Sequence, residues 1–207
     1  MAETWTVRSL LVWARDWLGK KGVESPRLDA ELLLAHALGC SRTRLYVDFD
    51  KPLSPEDLAR VKPLLQRRAQ REPVAYILGV REFYGRPFRV RPGVFIPRPE
   101  TELLVQAAVE ALSPEARVLD LCTGAGAIGV SIAAELPGAR VDLVEASTEA
   151  AAAARENAEA LAPRRVRVFE GDLFAALPEA AKYDAVVANP PYVDEGALRR
   201  LEPEIVV

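Results

Sequence analysis

Little in this sequence could hold a metal or a disulfide. Its 207 residues include two cysteines, Cys40 and Cys122, and one histidine, His36. The cysteines lie far apart and match no metal-ligand spacing, and His36 falls in an apolar helical pattern where a structural role is expected. No metal is therefore expected, and a reducing cytoplasm with no structural disulfide is the simplest reading. Long apolar runs are also missing. No segment approaches the length of a membrane span, and the opening Met1-Ala2-Glu3-Thr4-Trp5 is not a signal peptide, so no membrane partner is expected. Nor is there an excess of positive charge. A net charge of −3 and a pI of about 5.4 argue against wholesale nucleic-acid binding, and no direct nucleic-acid partner is expected.

What is present suits a packed core. Half of the residues are hydrophobic, and the length allows one large domain or two small ones. The first part of the chain reads as helical. Val7 to Leu18 carries apolar residues at helical spacing. Ser25-Pro26 supplies a helix start, and Leu28, Leu32, Leu33 and Ala35 form a stripe closed by Gly39. Ser54-Pro55-Glu56-Asp57 starts another helix, with acids in its first turn to suit the helix dipole. Pro63 is expected to kink or divide that helix. Trp13 and Trp17, four apart, share a helix face and are expected to pack in a core. No catalytic constellation lies in this region, which is taken as a helical domain over residues 1–74.

From residue 75 to 98 the pattern changes. Phe88-Arg89-Val90-Arg91 alternates as a strand does, and Pro92-Gly93 marks a turn, so a β-hairpin linking two domains is expected. Between Arg60 and Arg98 there are ten basic residues against two acids, Glu72 and Glu82. Such a run is either a solvated face or a docking surface.

From residue 99 onward, strands alternate with helices. Arg117–Leu121, Arg140–Val144, Val166–Phe169 and Ala185–Ala188 read as strands, the first followed by a glycine-rich turn and helix and the second by an alanine-rich helix capped by Ser147. This alternation implies a parallel α/β sheet, whose ligands bind at the carboxyl ends of the strands. Asp120, Glu145, Asp172 and Asn189 all fall at those ends.

The turn Gly124-Ala125-Gly126-Ala127-Ile128-Gly129 satisfies G-x-G-x-x-G, with Glu145 about twenty residues on, as in a dinucleotide fold. Electrostatics separate the readings. Asp120, just ahead of the loop, would repel a pyrophosphate and attract an ammonium or a sulfonium. S-adenosylmethionine offers both cations and a ribose. The glycines then leave room for its methionine part, Glu145 accepts from the ribose hydroxyls, Asp172 accepts from the adenine amino group, and Leu173 packs against the ring. Asp172 as a simple turn former is the alternative.

The last strand runs into Asn189-Pro190-Pro191-Tyr192. The prolines have no backbone N–H and stiffen the segment. It presents bare carbonyls beside the Asn189 amide and the Tyr192 ring, a cluster that can hold a planar group carrying NH2. An ordinary strand-to-loop turn is the alternative.

Together these residues carry a resemblance. Asp120-Leu121-Cys122-Thr123-Gly124-Ala125-Gly126 resembles the cofactor motif of class I methyltransferases, and the Asn189–Tyr192 tetrad is similar to that of enzymes methylating planar nitrogens. Glu72-Pro73-Val74-Ala75-Tyr76-Ile77-Leu78-Gly79, Arg81-Glu82-Phe83-Tyr84 and Ile96-Pro97-Arg98-Pro99-Glu100-Thr101-Glu102 narrow it. With the helical N-terminal region, the chain resembles the peptide chain release factor glutamine methyltransferases, the HemK/PrmC family.

That resemblance implies a Rossmann-like methyltransferase domain over residues 99–207 and a substrate-docking role for the helical domain. It implies methyl transfer from S-adenosylmethionine to the glutamine amide in the Gly-Gly-Gln motif of class I release factors, leaving S-adenosylhomocysteine. The cofactor set is then Asp120, Cys122, Thr123, Gly124, Ala125, Gly126, Glu145, Asp172, Leu173 and Asn189. Asn189 and Pro190 are the catalytic pair, and Asn189, Pro190, Pro191 and Tyr192 bind substrate.

Two departures stand out. Cys122 occupies a position where the family usually has glycine, so a small shift of the loop is expected. Only 18 residues follow Asn189, whereas the family's sheet continues for three more strands. The chain is expected to be a fragment whose fourth strand becomes an edge. The rival readings are a DNA amino-methyltransferase, which also holds a planar NH2, a non-catalytic cofactor- or partner-binding fragment, and, opposed by Asp120 and the tetrad, a dinucleotide oxidoreductase.

Overall fold

The computed structural model describes residues 4–191. They divide into two compact units, the break falling between Leu78 and Gly79.

The first unit is helical: α1 (Val7–Lys20), α2 (Pro26–Leu38), α3 (Arg42–Val47), α4 (Pro55–Ala69) and α5 (Val74–Leu78). Local chemistry sets the ends. Thr6 and Ser54 each form a capping box, with Ser9 and Asp57 respectively, and Gly39 closes α2 with φ +63°. Ser25 stands at the N-cap of α2, but its side chain makes no capping bond there. The interior is built from Leu10, Leu18, Leu33, Leu34, Leu45, Val61 and Leu65. α4 runs undivided through Pro63. The proline is exposed while Val61 and Leu65 on either side are buried. Core packing therefore holds both halves of the helix, and the carbonyl left without its donor can turn to water. Trp13 is 43% exposed and stacks on Trp17 at 5.2 Å, with Trp5 edge-on. Trp17, as expected, and Trp5 are partly buried against the helical core, while Trp13 stands at the surface on top of them.

The second unit begins with the hairpin β1 (Val80–Phe83) and β2 (Arg86–Arg89), continues through α6 (Glu102–Ala111), and then forms a parallel sheet. The sheet strands are β3 (Arg117–Leu121), β4 (Arg140–Glu145), β5 (Val166–Glu170) and β6 (Ala185–Ala188). α7 (Ala127–Glu135) joins β3 to β4, and α8 (Thr148–Leu161) joins β4 to β5. The spatial order is β5-β4-β3-β6. Phe83 and Phe88 of the hairpin are buried in one core with Val118, Val141, Val187 and residues of α6, α7 and α8. On the opposite face Leu119, Leu121 and Val144 are covered by Phe169, Ala176, Leu177 and Tyr183. The connection from β5 to β6 is a short 3-10 turn, Leu173–Ala176, and a loop.

Among the described residues β6 pairs only with β3 and is the edge of the sheet. Its Val186 is 52% exposed.

Most of the basic stretch is neutralised within its own unit. Arg60 pairs with Asp57, Arg67 with Glu72 and Arg68 with Asp29. Arg86 pairs with Glu135, and Arg89 and Arg91 with Glu156. Several of these acids come from elements distant in sequence, which is why the run reads as one-signed along the chain.

Candidate active site

The chain adds β3, β4 and β5 outward in one direction, then returns to place β6 on the other side of β3. Such a reversal opens a crevice at the carboxyl ends of the two strands, the usual ligand site of an open α/β sheet. Leu121 and Ala188 are paired in register. The next residues, Cys122 and Asn189, therefore leave the sheet side by side, about 5 Å apart as neighbouring strands are.

The loop after β3 is tightly organised. Thr123 donates its N–H to the Val144 carbonyl at 3.1 Å and its hydroxyl to Asp120 Oδ2 at 2.5 Å. Gly126 donates to the Thr123 carbonyl at 2.9 Å and, with φ +82°, opens α7 from the left-handed region. Thr123, Ala125 and Gly126 are buried, while Cys122 and Gly124 are partly exposed.

Cys122 itself has φ +56°, a backbone state that costs a non-glycine residue about 1–2 kcal/mol. The cysteine adopts the conformation that glycine takes easily, held by the loop's other bonds. Burial pushes its thiol up from the ordinary value, and the charges of Glu145, Asp120 and Asp172 add to this, so it stays protonated.

Asp120 is fully buried. Its Oδ2 accepts from Thr123 and from Gly129 N–H at 2.9 Å, and its Oδ1 has no hydrogen-bond partner among the described residues. The carboxylate thus braces the loop against the first turn of α7 and does not stand open to solvent, as a direct ligand contact would. The physical reason is alternation along β3: Asp120 shares the helix-covered face with Val118.

Burial raises its pKa to about 7, against the Thr123 and Gly129 hydrogen bonds, with a further upward push from Glu145. The unfolded chain releases this proton near about pH 4. Asp120 therefore favours folding fully below about pH 4, and that contribution is lost as pH rises through about 7. Urea unfolding between about pH 4.5 and 7.5 should show the wild type losing stability relative to Asp120→Asn. A constant difference across that range would refute the buried, protonated state.

Glu145 ends β4. Its Oε2 accepts from Gly124 N–H at 2.8 Å and its Oε1 from Ser147 N–H at 3.0 Å. A carboxylate has about four lone-pair sites, so each oxygen keeps one for a ligand. Gly171 N–H donates to the Glu145 carbonyl at 2.9 Å, which brings the end of β5 alongside. There Asp172 and Leu173 are exposed, Leu173 with φ +46°.

Asn189 is partly buried, and its Nδ2 lies 3.5 Å from the Thr101 hydroxyl oxygen. Pro190 and Pro191 are exposed. Tyr192 lies outside the described residues. Asp120, Glu145 and the loop are thus brought together, with Asn189 and Pro190 following the end of the neighbouring strand β6.

Three residues at the site carry no assignment from sequence. Thr101 and Phe95 belong to or adjoin the stretch Ile96–Glu102. A Cβ added to Gly124 would meet nothing nearer than Phe95 Cβ at 3.9 Å, so the outer side of the loop is open except for that side chain. Arg98 lies over the Phe95 ring at 5.8 Å. The third, Asn157 of α8, bonds Ala125 of the loop from beneath. Its one signal in sequence was a polar residue at an otherwise alanine-lined helix position.

The site fits a cationic, ribose-bearing ligand. Its accessible carboxylates, Glu145 and Asp172, suit a cation and hydroxyl donors, and the loop has an open outer side. A pyrophosphate would meet both charges. Among the described residues no His/Cys/Asp/Glu group could hold a metal, and no helix is long and apolar enough to cross a membrane.

Comparison with known proteins agrees with this geometry. The PrmC N-terminal domain family matches residues 9–79, and the methyltransferase small domain family matches residues 87–204. The release factor glutamine methyltransferase of Geobacter sulfurreducens is 48% identical over 203 residues, 98% of this chain and 71% of that protein. The chain belongs to the release factor glutamine methyltransferase family. That of Rhodopirellula baltica is 44% identical, covering 94% of this chain and 70% of that protein. Among solved structures, ribosomal protein L11 methylase from Lactobacillus delbrueckii subsp. bulgaricus is 27% identical, over 54% of this chain and 56% of that one, with a TM-score of 0.42. The fold is that of a Rossmann-like methyltransferase preceded by the helical domain of this family, and the chain is an enzyme of the methyltransferase class.

Proposed function

We propose that this chain transfers a methyl group from S-adenosylmethionine to the side-chain amide nitrogen of the glutamine in the Gly-Gly-Gln motif of a class I peptide chain release factor, in the cytoplasm. One observation carries the reading. The glycine loop and Asn189-Pro190 leave adjacent parallel strands at the point where the strand order reverses, so a cofactor and a planar amide can meet there.

S-adenosylmethionine supplies a sulfonium carrying the transferable methyl. The residues of this chain do the rest. The acidic lining favours the cation. Glu145 uses its remaining lone pairs for the ribose hydroxyls, Asp172 accepts from the adenine amino group, and Leu173 packs on the ring. Cys122, Thr123, Gly124, Ala125 and Gly126 form the wall for the methionine part, with Asp120 holding that wall from behind.

An amide nitrogen is a poor nucleophile because its lone pair is delocalised into the carbonyl. No base removes a proton first; the proton leaves after transfer, when the nitrogen is far more acidic. The site must orient. Asn189 Oδ1 and the Pro190 carbonyl accept the two amide N–H bonds, aim the nitrogen along the displacement line and favour its developing positive charge. Thr101 supports this role, because an Asn189 Nδ2 turned toward the Thr101 hydroxyl leaves Oδ1 for substrate. Pro191 stiffens the segment and Tyr192 stacks on the flat amide. A glutamate side chain would set oxygens against these acceptors and be rejected strongly.

We assign substrate docking to the helical domain, residues 1–74. An apolar groove of about 340 Å³ lined by Trp5, Trp13 and Trp17, with Lys62 and Gln66 among its other lining residues, supports this.

The test of the reading is methyl incorporation from labelled donor into a release factor. Label is expected in the intact protein and not in a variant with the motif glutamine replaced, nor in duplex DNA. Label in DNA would overturn the substrate assignment. For the cofactor, Glu145→Ala is expected to weaken S-adenosylhomocysteine binding about 10- to 100-fold, the value of a charge-assisted hydrogen bond. An unchanged dissociation constant by calorimetry would refute the ribose role.

A further inference from the structure

Asn157 is fully buried on α8 and uses its whole side-chain amide. Oδ1 accepts from the Arg89 N–H at 2.8 Å. Nδ2 donates to the Arg89 carbonyl at 3.1 Å and to the Ala125 carbonyl at 2.8 Å. One side chain therefore ties the backbone of β2 to the floor of the glycine loop. Both Arg89 groups point away from β1: Arg89 faces Val80 across the hairpin, while the neighbouring Val90 N–H bonds to the Gly79 carbonyl. The hairpin offers Arg89 no replacement partner. An apolar residue in place of Asn157 would leave three backbone groups without a bond, a strong reason for asparagine among Ala151, Ala153, Ala154 and Ala158, all buried.

We propose that Asn157 is a positioning residue for cofactor binding, coupling the Ala125 peptide of the loop to the Arg89 backbone so that an occupied loop stiffens the hairpin. The inference rests on the reading of the loop as the cofactor site. Ala125 cannot rotate its carbonyl while Asn157 holds it. The N–H of Gly126, in the same peptide unit, is thereby kept on the Thr123 carbonyl, and the open side of Gly124 keeps its shape. Asn157 touches neither cofactor nor substrate on this account, so its loss acts on cofactor affinity and leaves the methyl-transfer step alone.

The reporter is the Arg89 amide, whose hydrogen bond goes to Asn157. In the full chain, saturating S-adenosylhomocysteine is expected to slow hydrogen exchange at the Arg89 amide about tenfold, as one tightened hydrogen bond would. Asn157→Ala is expected to raise the KM for the methyl donor roughly tenfold, with kcat within about twofold, and to abolish the ligand-dependent protection of Arg89. A merely structural role would instead lower the active fraction, so that kcat falls and KM stays. Should Asn157→Ala fold poorly, Asn157→Asp carries the same test. Its carboxylate keeps the acceptor for Arg89 N–H but has no donor for Ala125, and a proton restores one donor. Cofactor affinity of that variant is expected to rise more steeply as pH falls than that of the wild type, whose loop is also braced by the titrating Asp120. Calorimetric binding of S-adenosylhomocysteine to the wild type with no change at the Arg89 amide would overturn the coupling alone. Absence of binding would overturn the cofactor reading and this inference with it.

Discussion

Asn189→Ala is expected to slow methyl transfer to a release factor by roughly two to three orders of magnitude, the usual consequence of removing one preorganised polar group from a reacting centre. Cofactor affinity is expected to stay within about threefold, since Glu145 and the glycine loop carry most of that binding. Two features give the effect its size. The amide nitrogen has little intrinsic nucleophilicity, so alignment is most of what the site can contribute. The acceptor lost with the asparagine side chain is replaced by water only if water fits, and water does not hold an orientation. The variant removes no core packing, because Asn189 follows the last residue of β6 and is only partly buried. The folded fraction should match wild type by circular dichroism. The decisive measurement is single-turnover methyl transfer beside calorimetric titration with S-adenosylhomocysteine. Turnover within a few-fold of wild type would show that Asn189 does not orient the amide.

A large effect on stability is expected at Gly129. A Cβ there would lie 2.3 Å from Leu143 Cδ2, 3.0 Å from Val141 Cγ1 and 3.1 Å from Asp120 Cβ. Leu143 and Val141 are fully enclosed in the core, so neither can swing aside into solvent. α7 would have to lift from the sheet, stretching the bond from Gly129 N–H to Asp120 Oδ2. Gly129→Ala is expected to cost about 3 kcal/mol by overpacking, seen as a lower urea midpoint at unchanged slope and a fall in Tm of roughly 10 °C. The loss should appear without any ligand. That separates the third glycine of the motif, which serves helix-on-sheet packing, from Gly124, where an added Cβ finds open space apart from Phe95. A variant as stable as wild type would mean that the helix sits farther from β4 than described.

Some of this is legible along the chain. The four sheet strands emerge from short β-branched runs between turn signals, and Ala185–Ala188 needs no correction. The carboxyl-end acids follow from strand ends. Capping chemistry places the starts of α4 and α8 within a residue, because caps are local. Where the local rule fails, a tertiary contact overrides it. Pro63 leaves α4 whole because Val61 and Leu65 are gripped on both sides of it. The basic stretch is largely neutralised by acids that include Glu135, Glu156 and Asp29, which no short window along the chain places beside it.

The sequence by itself determined the family and the candidate site residues: a stiff Asn-Pro-Pro end, a glycine loop flanked by acids, and a helical region ahead of them. These are properties of residue type and short spacing. Only the tertiary structure decided which of them are buried and which are open to solvent. Asp120 turned inward as a brace because β3 alternates its side chains between two faces, one of them covered by helices. Asn157, silent in an alanine-rich helix, became the link between hairpin and loop because burial obliges every backbone polar group around it to find a partner.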